Sequence, residues 1–107
     1  MPYAQRAPDW VAKMRVDEIQ IPGPVEEKLW ARHGVTPREV EEAFADYRGP
    51  WRTRAGADGR RRYYILGRTY AGRLLKIIFL LAVPHTAVVV SARSPSGRKD
   101  ERRARRG

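Results

Sequence analysis

The sequence predicts an α+β domain: an antiparallel sheet of about four strands, two N-terminal helices packed on one of its faces, and a basic C-terminal tail or short helix. Three observations carry this expectation. Apolar residues recur at helical spacing between residues 24 and 47, strand-like segments rich in β-branched and aromatic residues begin after Arg60, and the later connections are too short for parallel crossovers. The 107 residues suffice for one domain, placed at residues 15–97, with 1–14 as an extension and 98–107 as the tail.

Residues 16–21 alternate weakly, as a short strand would, until Pro22-Gly23-Pro24 ends them. Gly23 and Pro24 suit the N-cap and first position of a helix. Glu26 and Glu27 lie in its first turn, Arg32 and His33 in its last, and Gly34 follows where a left-handed cap belongs. The second helix opens on Thr36-Pro37-Arg38-Glu39, a capping box, with Val35 and Val40 placed as a hydrophobic staple. Its apolar stripe is Val40, Ala43, Phe44 and Tyr47, while Glu41, Glu42 and Asp46 face away. Arg48-Gly49-Pro50 stops it. Residues 51–59 read as a connector of irregular or edge-strand character, and 61–66 as a strand. A turn near Ala71-Gly72 leads to two more strands, 74–82 and 86–92. Ser94-Pro95-Ser96-Gly97 then breaks the sheet.

Residues 73–93 are the most apolar part of the chain, yet Lys76 and Pro84-His85 interrupt them and Val88, Val89 and Val90 crowd the second part. Two strands fit this better than the roughly 20-residue apolar helix that a membrane requires. The segment MPYAQRAPDW lacks the apolar centre of a secretory signal, so a cytoplasmic location is expected.

The net charge is +10, unevenly placed. Residues 1–50 carry 7 basic and 9 acidic side chains, net −2, whereas 51–107 carry 15 and 3, net +12. Eighteen of the 22 cations are Arg, which grips phosphate with two parallel donors. An anionic partner is expected, whether nucleic acid, an acidic protein or a membrane surface, with nucleic acid or an acidic protein favoured by the arginines; the alternative is charge that serves solubility, or a disordered basic tail. There is no Cys, and His33 and His85 have no paired metal-ligand spacing, so neither a metal nor a cofactor is expected.

A tight two-residue turn at Pro84-His85 sets Val83 opposite Thr86, Lys76 opposite Arg93 and Ile78 opposite Ser91, with Arg73 near the same open end. Like charges paired across strands repel, and an anion between them removes the penalty. The alternative is that both side chains extend outward from an apolar sheet. Arg60-Arg61-Arg62-Tyr63-Tyr64 interleaves cations with aromatics, as single-strand binders do; Arg60 or Arg62 is a phosphate contact, and one tyrosine belongs to the core. His33 is either a dipole-compensating residue or a general base, and Glu101 either an ion-pair partner or a general base. Among enzymes, a phosphodiesterase of electrostatic type fits: Arg and Lys stabilise the pentacovalent phosphorane, and RNA supplies its own 2′-OH nucleophile. The RNA contacts expected are Arg60, Arg61, Lys76, Arg98 and Arg102.

Three motifs carry a family resemblance. Residues 31–44, ARHGVTPREVEEAF, resemble the "KHGVsxEEVeeaF" helix pair of the BrnT-like toxins. Residues 67–75, GRTYAGRLL, resemble their "GrTxaGRyL" hairpin, and VVSAR at 89–93 with DERR at 100–103 resembles their "viSAR…kERRrY" ending, although Arg105 stands where that ending has tyrosine. The resemblance implies a RelE-like fold, a ribonuclease that blocks translation as the toxin of a type II toxin–antitoxin pair, RNA as substrate, free or on the ribosome, and a cognate antitoxin. It implies catalytic roles for His33, Arg73, Arg93 and Glu101, with Arg62 as the candidate for the family's strand-opening arginine and Arg102 beside Glu101. A non-catalytic RNA- or ribosome-binding module on the same scaffold is the alternative. Direct DNA binding through a helix-turn-helix is not expected, because Glu41, Glu42 and Asp46 would face the phosphates.

Overall fold

The computed structural model describes residues 16–53, 56–83 and 85–105, the side chains of residues 99, 101, 104 and 105 excepted. The expected extension at 1–14 and Pro84 lie outside the described residues. The elements are β1 (Glu18–Gln20), α1 (Gly23–Lys28, continued as a π-helical turn over Leu29–His33), α2 (Pro37–Ala45), β2 (Tyr47–Thr53), β3 (Arg62–Arg68), β4 (Leu74–Ala82), β5 (Thr86–Arg93) and α3 (Arg98–Arg105). They form an α+β fold with α1 and α2 on one face of the sheet. Among the described residues no helix is long and apolar enough to cross a membrane.

The sheet has five strands in the order β1-β5-β4-β3-β2, and it is mixed rather than wholly antiparallel. β2 to β5 form a meander, which returns β5 to the side where the chain entered. There β1 pairs with it in parallel, Glu18 beside Thr86 and Ile19 beside Ala87. The two helices and the strands β2 to β4 lie between β1 and β5 in the chain, a connection far longer than a parallel pair needs. The expected edge strand begins earlier than its aromatic signal. Tyr47 is not the last residue of the helical stripe but the first of β2, opposite Gly67. It still packs on Phe44, with ring centroids 6.0 Å apart. Pro50 is tolerated because β2 is an edge strand whose register is irregular between Arg48 and Trp51.

Both helices are specified locally. Gly34 at φ 61° caps α1, and its amide reaches the Trp30 carbonyl at 3.0 Å. The capping box is formed: Thr36 Oγ1 accepts from the Glu39 amide at 3.2 Å, and Glu39 Oε1 accepts from the Thr36 amide at 3.1 Å. Val35 and Val40, the staple, are fully buried. Val40, Ala43 and Phe44 lay α2 on the sheet against Tyr63, Ile65, Leu75, Ile77 and Phe79. Phe44 meets Phe79 edge-on at 5.5 Å. Gly67 makes this approach possible, since a Cβ there would collide with the backbone of Ala43.

The β4–β5 connection is not the two-residue turn expected. Ala82, rather than Val83, pairs with Thr86, so three residues form the loop, with His85 at φ 50°. Three-residue hairpin loops end on such a left-handed residue. The resulting offset is cancelled by a bulge: opposite the Ile78–Phe79 step, β5 accommodates one extra residue, Val90. Beyond it Lys76 lies opposite Arg93 and Ile78 opposite Ser91, the register expected from the sequence. The bulge also lets Val89 and Ala92, three residues apart, both face the core.

Candidate nucleic-acid interface

The face of the sheet turned away from α1 and α2 carries the alternate residues: Tyr64 and Leu66 on β3, Lys76 and Ile78 on β4, Ser91 and Arg93 on β5. Leu66, Lys76 and Arg93 form one transverse row. A polar groove of about 610 Å³ lies along this face, lined by Arg52, Arg61, Tyr64, Lys76, Ser96 and Asp100.

Of the tail and the short helix expected, the chain forms the helix, α3, which packs here. Arg103 donates to the phenolic oxygen of Tyr64. Its guanidinium lies 4.6 Å from the centroid of the Trp51 ring. Trp51 and Tyr64, paired across β2 and β3, hold each other at 5.2 Å. Lys76 Nζ stands 4.4 Å over the Tyr64 ring and 3.2 Å from Asp100 Oδ2. The side chain of Asp100 is 6% exposed and that of Lys76 19%. Burial raises the pKa of the Tyr64 phenol above its usual value, the Asp100 carboxylate adds to this, and Arg103 opposes it. Tyr64 therefore remains protonated at neutral pH and can donate a hydrogen bond.

The structure groups the expected site residues into two sets. Lys76, Arg93 and Arg61 share the face just described, and Arg98 and Arg102 are exposed on α3 above it. Arg93 is exposed and makes no ion pair with a described residue. Arg60 and Arg61 also border a smaller hollow with Tyr63, Leu80 and Leu81. Arg62 lies at the start of β3, its guanidinium against Gly56 and 3.5 Å from Asp58. The Arg60 amide donates to the same Asp58 at 2.9 Å. That bond is the main cause of the lowered Asp58 pKa, with Arg62 and Arg60 adding to it. The backbone of Glu101 is in α3; its side chain lies outside the described ones.

Arg73 and His33 belong to the second set, on the helix side. The Arg73 guanidinium donates to the His33 carbonyl at 2.7 Å and the Gly34 carbonyl at 2.9 Å, and lies 3.4 Å from Glu39 Oε2. It thereby ties the β3–β4 hairpin to the end of α1 and the start of α2. The rest of the hairpin motif serves the same junction. Buried Thr69 accepts from the Arg73 amide through Oγ1 at 3.1 Å, and the Tyr70 amide donates to Glu42 at 3.0 Å. Gly72 turns at φ 92°. Geometry thus joins His33 to Arg73, but neither to the Lys76–Arg93 row.

Sequence reasoning missed Arg52 and Asp100 in the lining of the groove, and Arg103 and Trp51 as the partners that cover Tyr64. One signal was present: Asp100 and Arg103 stand three apart and so share one side of a helix.

No protein-family model and no curated protein matches the sequence. A solved structure does match, the crystal structure of the Brucella abortus ribonuclease toxin BrnT. The identity is 21%, the TM-score is 0.53, and the match covers 75% of this chain and 97% of that one. The resemblance carried by the three motifs extends to the architecture: the chain has the fold of BrnT.

Proposed function

We propose that the chain is a ribonuclease toxin of a type II toxin–antitoxin pair, acting in the cytoplasm on RNA and restrained by a cognate antitoxin. One observation supports this reading most: on a BrnT fold, Lys76 and Arg93 are paired across β4 and β5 beside a polar groove that Arg61 and Arg52 also line. Two adjacent cations on a sheet repel unless an anion joins them, and Asp100, 3.2 Å from Lys76, fills that place at one end of the pair, while Arg93 is exposed. A phosphodiester seated there meets Lys76 and Arg93 at its non-bridging oxygens, with Arg61 and Arg62 on the flanking phosphates. A general base takes the proton of the 2′-hydroxyl as its oxygen bonds to phosphorus, the bond to the 5′-oxygen breaks as that oxygen takes up a proton, and a 2′,3′-cyclic phosphate and a 5′-hydroxyl remain. The cations stabilise charge that grows on the phosphorane, and the protonated Tyr64 phenol is a donor to the same oxygens. Glu101 on α3 is the proton-transfer candidate for this face, whereas His33, joined to Arg73 on the helix side, stands away from the Lys76–Arg93 row. Arg73 acts from the helix side by holding the hairpin on which Lys76 is carried.

The test is induced expression without the antitoxin. Growth arrest with fragmented mRNA is expected. Normal growth and intact mRNA, from soluble folded protein, sinks the enzyme reading, and retained RNA binding in that case leaves the non-catalytic binding module.

A further inference from the structure

We infer that the Lys76 end of the groove is a phosphodiester subsite which the chain keeps filled with its own Asp100 carboxylate, so that RNA enters by displacing α3. The inference rests on the ribonuclease reading of the groove. Asp100 is 4% exposed, although it belongs to an eight-residue helix, RKDERRAR, composed almost wholly of charges. Carboxylates are seldom buried without a partner, and here the partner is the ammonium of Lys76 at 3.2 Å. A buried ion pair adds little net stability over apolar packing, so stability alone is a weak reason for it. Exchange is a better one. A phosphate oxygen can take the place of the carboxylate oxygen and leave Lys76 neutralised both before and after.

Arg103 repeats the pattern. Its planar guanidinium covers Trp51 and bonds Tyr64, the aromatic surface on which a single-stranded base stacks. α3 therefore offers a stand-in for each half of a nucleotide: a carboxylate for the phosphate and a guanidinium plane for the base. The segment before it is not held in a helix or strand. Residues 94–96 have no regular structure, and Gly97 sits at φ 88°. An eight-residue helix, seven of whose residues are charged, also has little apolar surface of its own to bury, which belongs to the low-stability end of a fold.

The test uses the full chain and a 2′-O-methyl RNA dodecamer, which offers phosphates but no nucleophile. Affinity is read by fluorescence anisotropy for wild type, Asp100→Asn, Lys76→Gln, the double variant and Arg93→Ala. Asp100→Asn is expected to tighten binding about fivefold, and to change nothing when Lys76 is already Gln. In the unaltered protein, RNA is expected to speed amide hydrogen exchange over residues 98–105. If Arg93→Ala weakens binding while Asp100→Asn does not tighten it and α3 becomes more protected, the inference is overturned and the RNA site stands. If neither Arg93→Ala nor Lys76→Gln alters affinity, the site reading falls, and the inference with it.

Discussion

Arg73 separates an architectural role from a catalytic one. Replacing it with Ala removes two charge-assisted hydrogen bonds, at 2.7 and 2.9 Å, to carbonyls at the end of α1, and an ion pair at 3.4 Å to the capping-box carboxylate of Glu39. Fully buried, bonds of this type contribute about 1.5–3 kcal/mol each. The side chain is 34% exposed, so solvent screening lowers the ion-pair share to a few tenths and each bond to about 1 kcal/mol. Arg73→Ala should therefore cost ~2–3 kcal/mol, a fall of about 2 M in the urea midpoint of a domain this size. Arg73→Lys keeps the charge but cannot span both carbonyls and the carboxylate, and should recover less than half of the loss. Equilibrium urea unfolding followed by circular dichroism measures both. A wild-type midpoint for Arg73→Ala, with RNA binding abolished, would refute the reasoning and place Arg73 in the site itself.

Gly67→Ala should destabilise by ~3 kcal/mol or more in thermal unfolding, because the new Cβ meets backbone of α2 that cannot yield without unseating Phe44. Thr36→Ala should cost ~1 kcal/mol through the lost cap, read by the same urea titration. The Tyr64 phenol has a folded pKa raised above the ordinary 10.0 of the unfolded chain, so the stability it confers is present below pH 10 and lost as pH rises through the folded value. Urea midpoints measured from pH 9 to 11.5 should fall for wild type and fall less for Tyr64→Phe. Arg93→Ala should leave the urea midpoint unchanged while lowering the slope of log affinity against log salt for single-stranded RNA by about 0.7, one phosphate contact.

What was legible in the sequence was local. The capping box at Thr36-Glu39, the left-handed Gly34 and the apolar stripe of α2 each arise from residues within a turn of one another, and each stands as expected. The parallel pairing of β1 with β5 joins Ile19 to Ala87 and leaves no turn residues to announce it. The hairpin register at Lys76 and Arg93 emerged correctly although its premise did not hold, because a longer loop and a bulge offset one another. For the site, the cations on β4 and β5 followed from strand periodicity. Asp100 and Arg103 did not, because their role depends on α3 folding back across Trp51 and Tyr64, and a helix of eight mostly charged residues carries no apolar stripe from which that docking can be read. The hairpin motif shows the converse: Gly67, Thr69, Gly72 and Arg73 form a recognisable pattern, and its contacts are architectural.

The proposed activity is cleavage of RNA at the Lys76–Arg93 face. The most direct measurement incubates purified wild-type protein and Arg93→Ala, matched for urea midpoint, with a single-stranded RNA and reads product ends by mass spectrometry. Wild type should yield 2′,3′-cyclic phosphate and 5′-hydroxyl ends, and Arg93→Ala should cleave at least about 100-fold more slowly, the loss typical of one transition-state donor. Equal cleavage by both proteins would contradict the placement of the site, and intact RNA with wild type would contradict the activity.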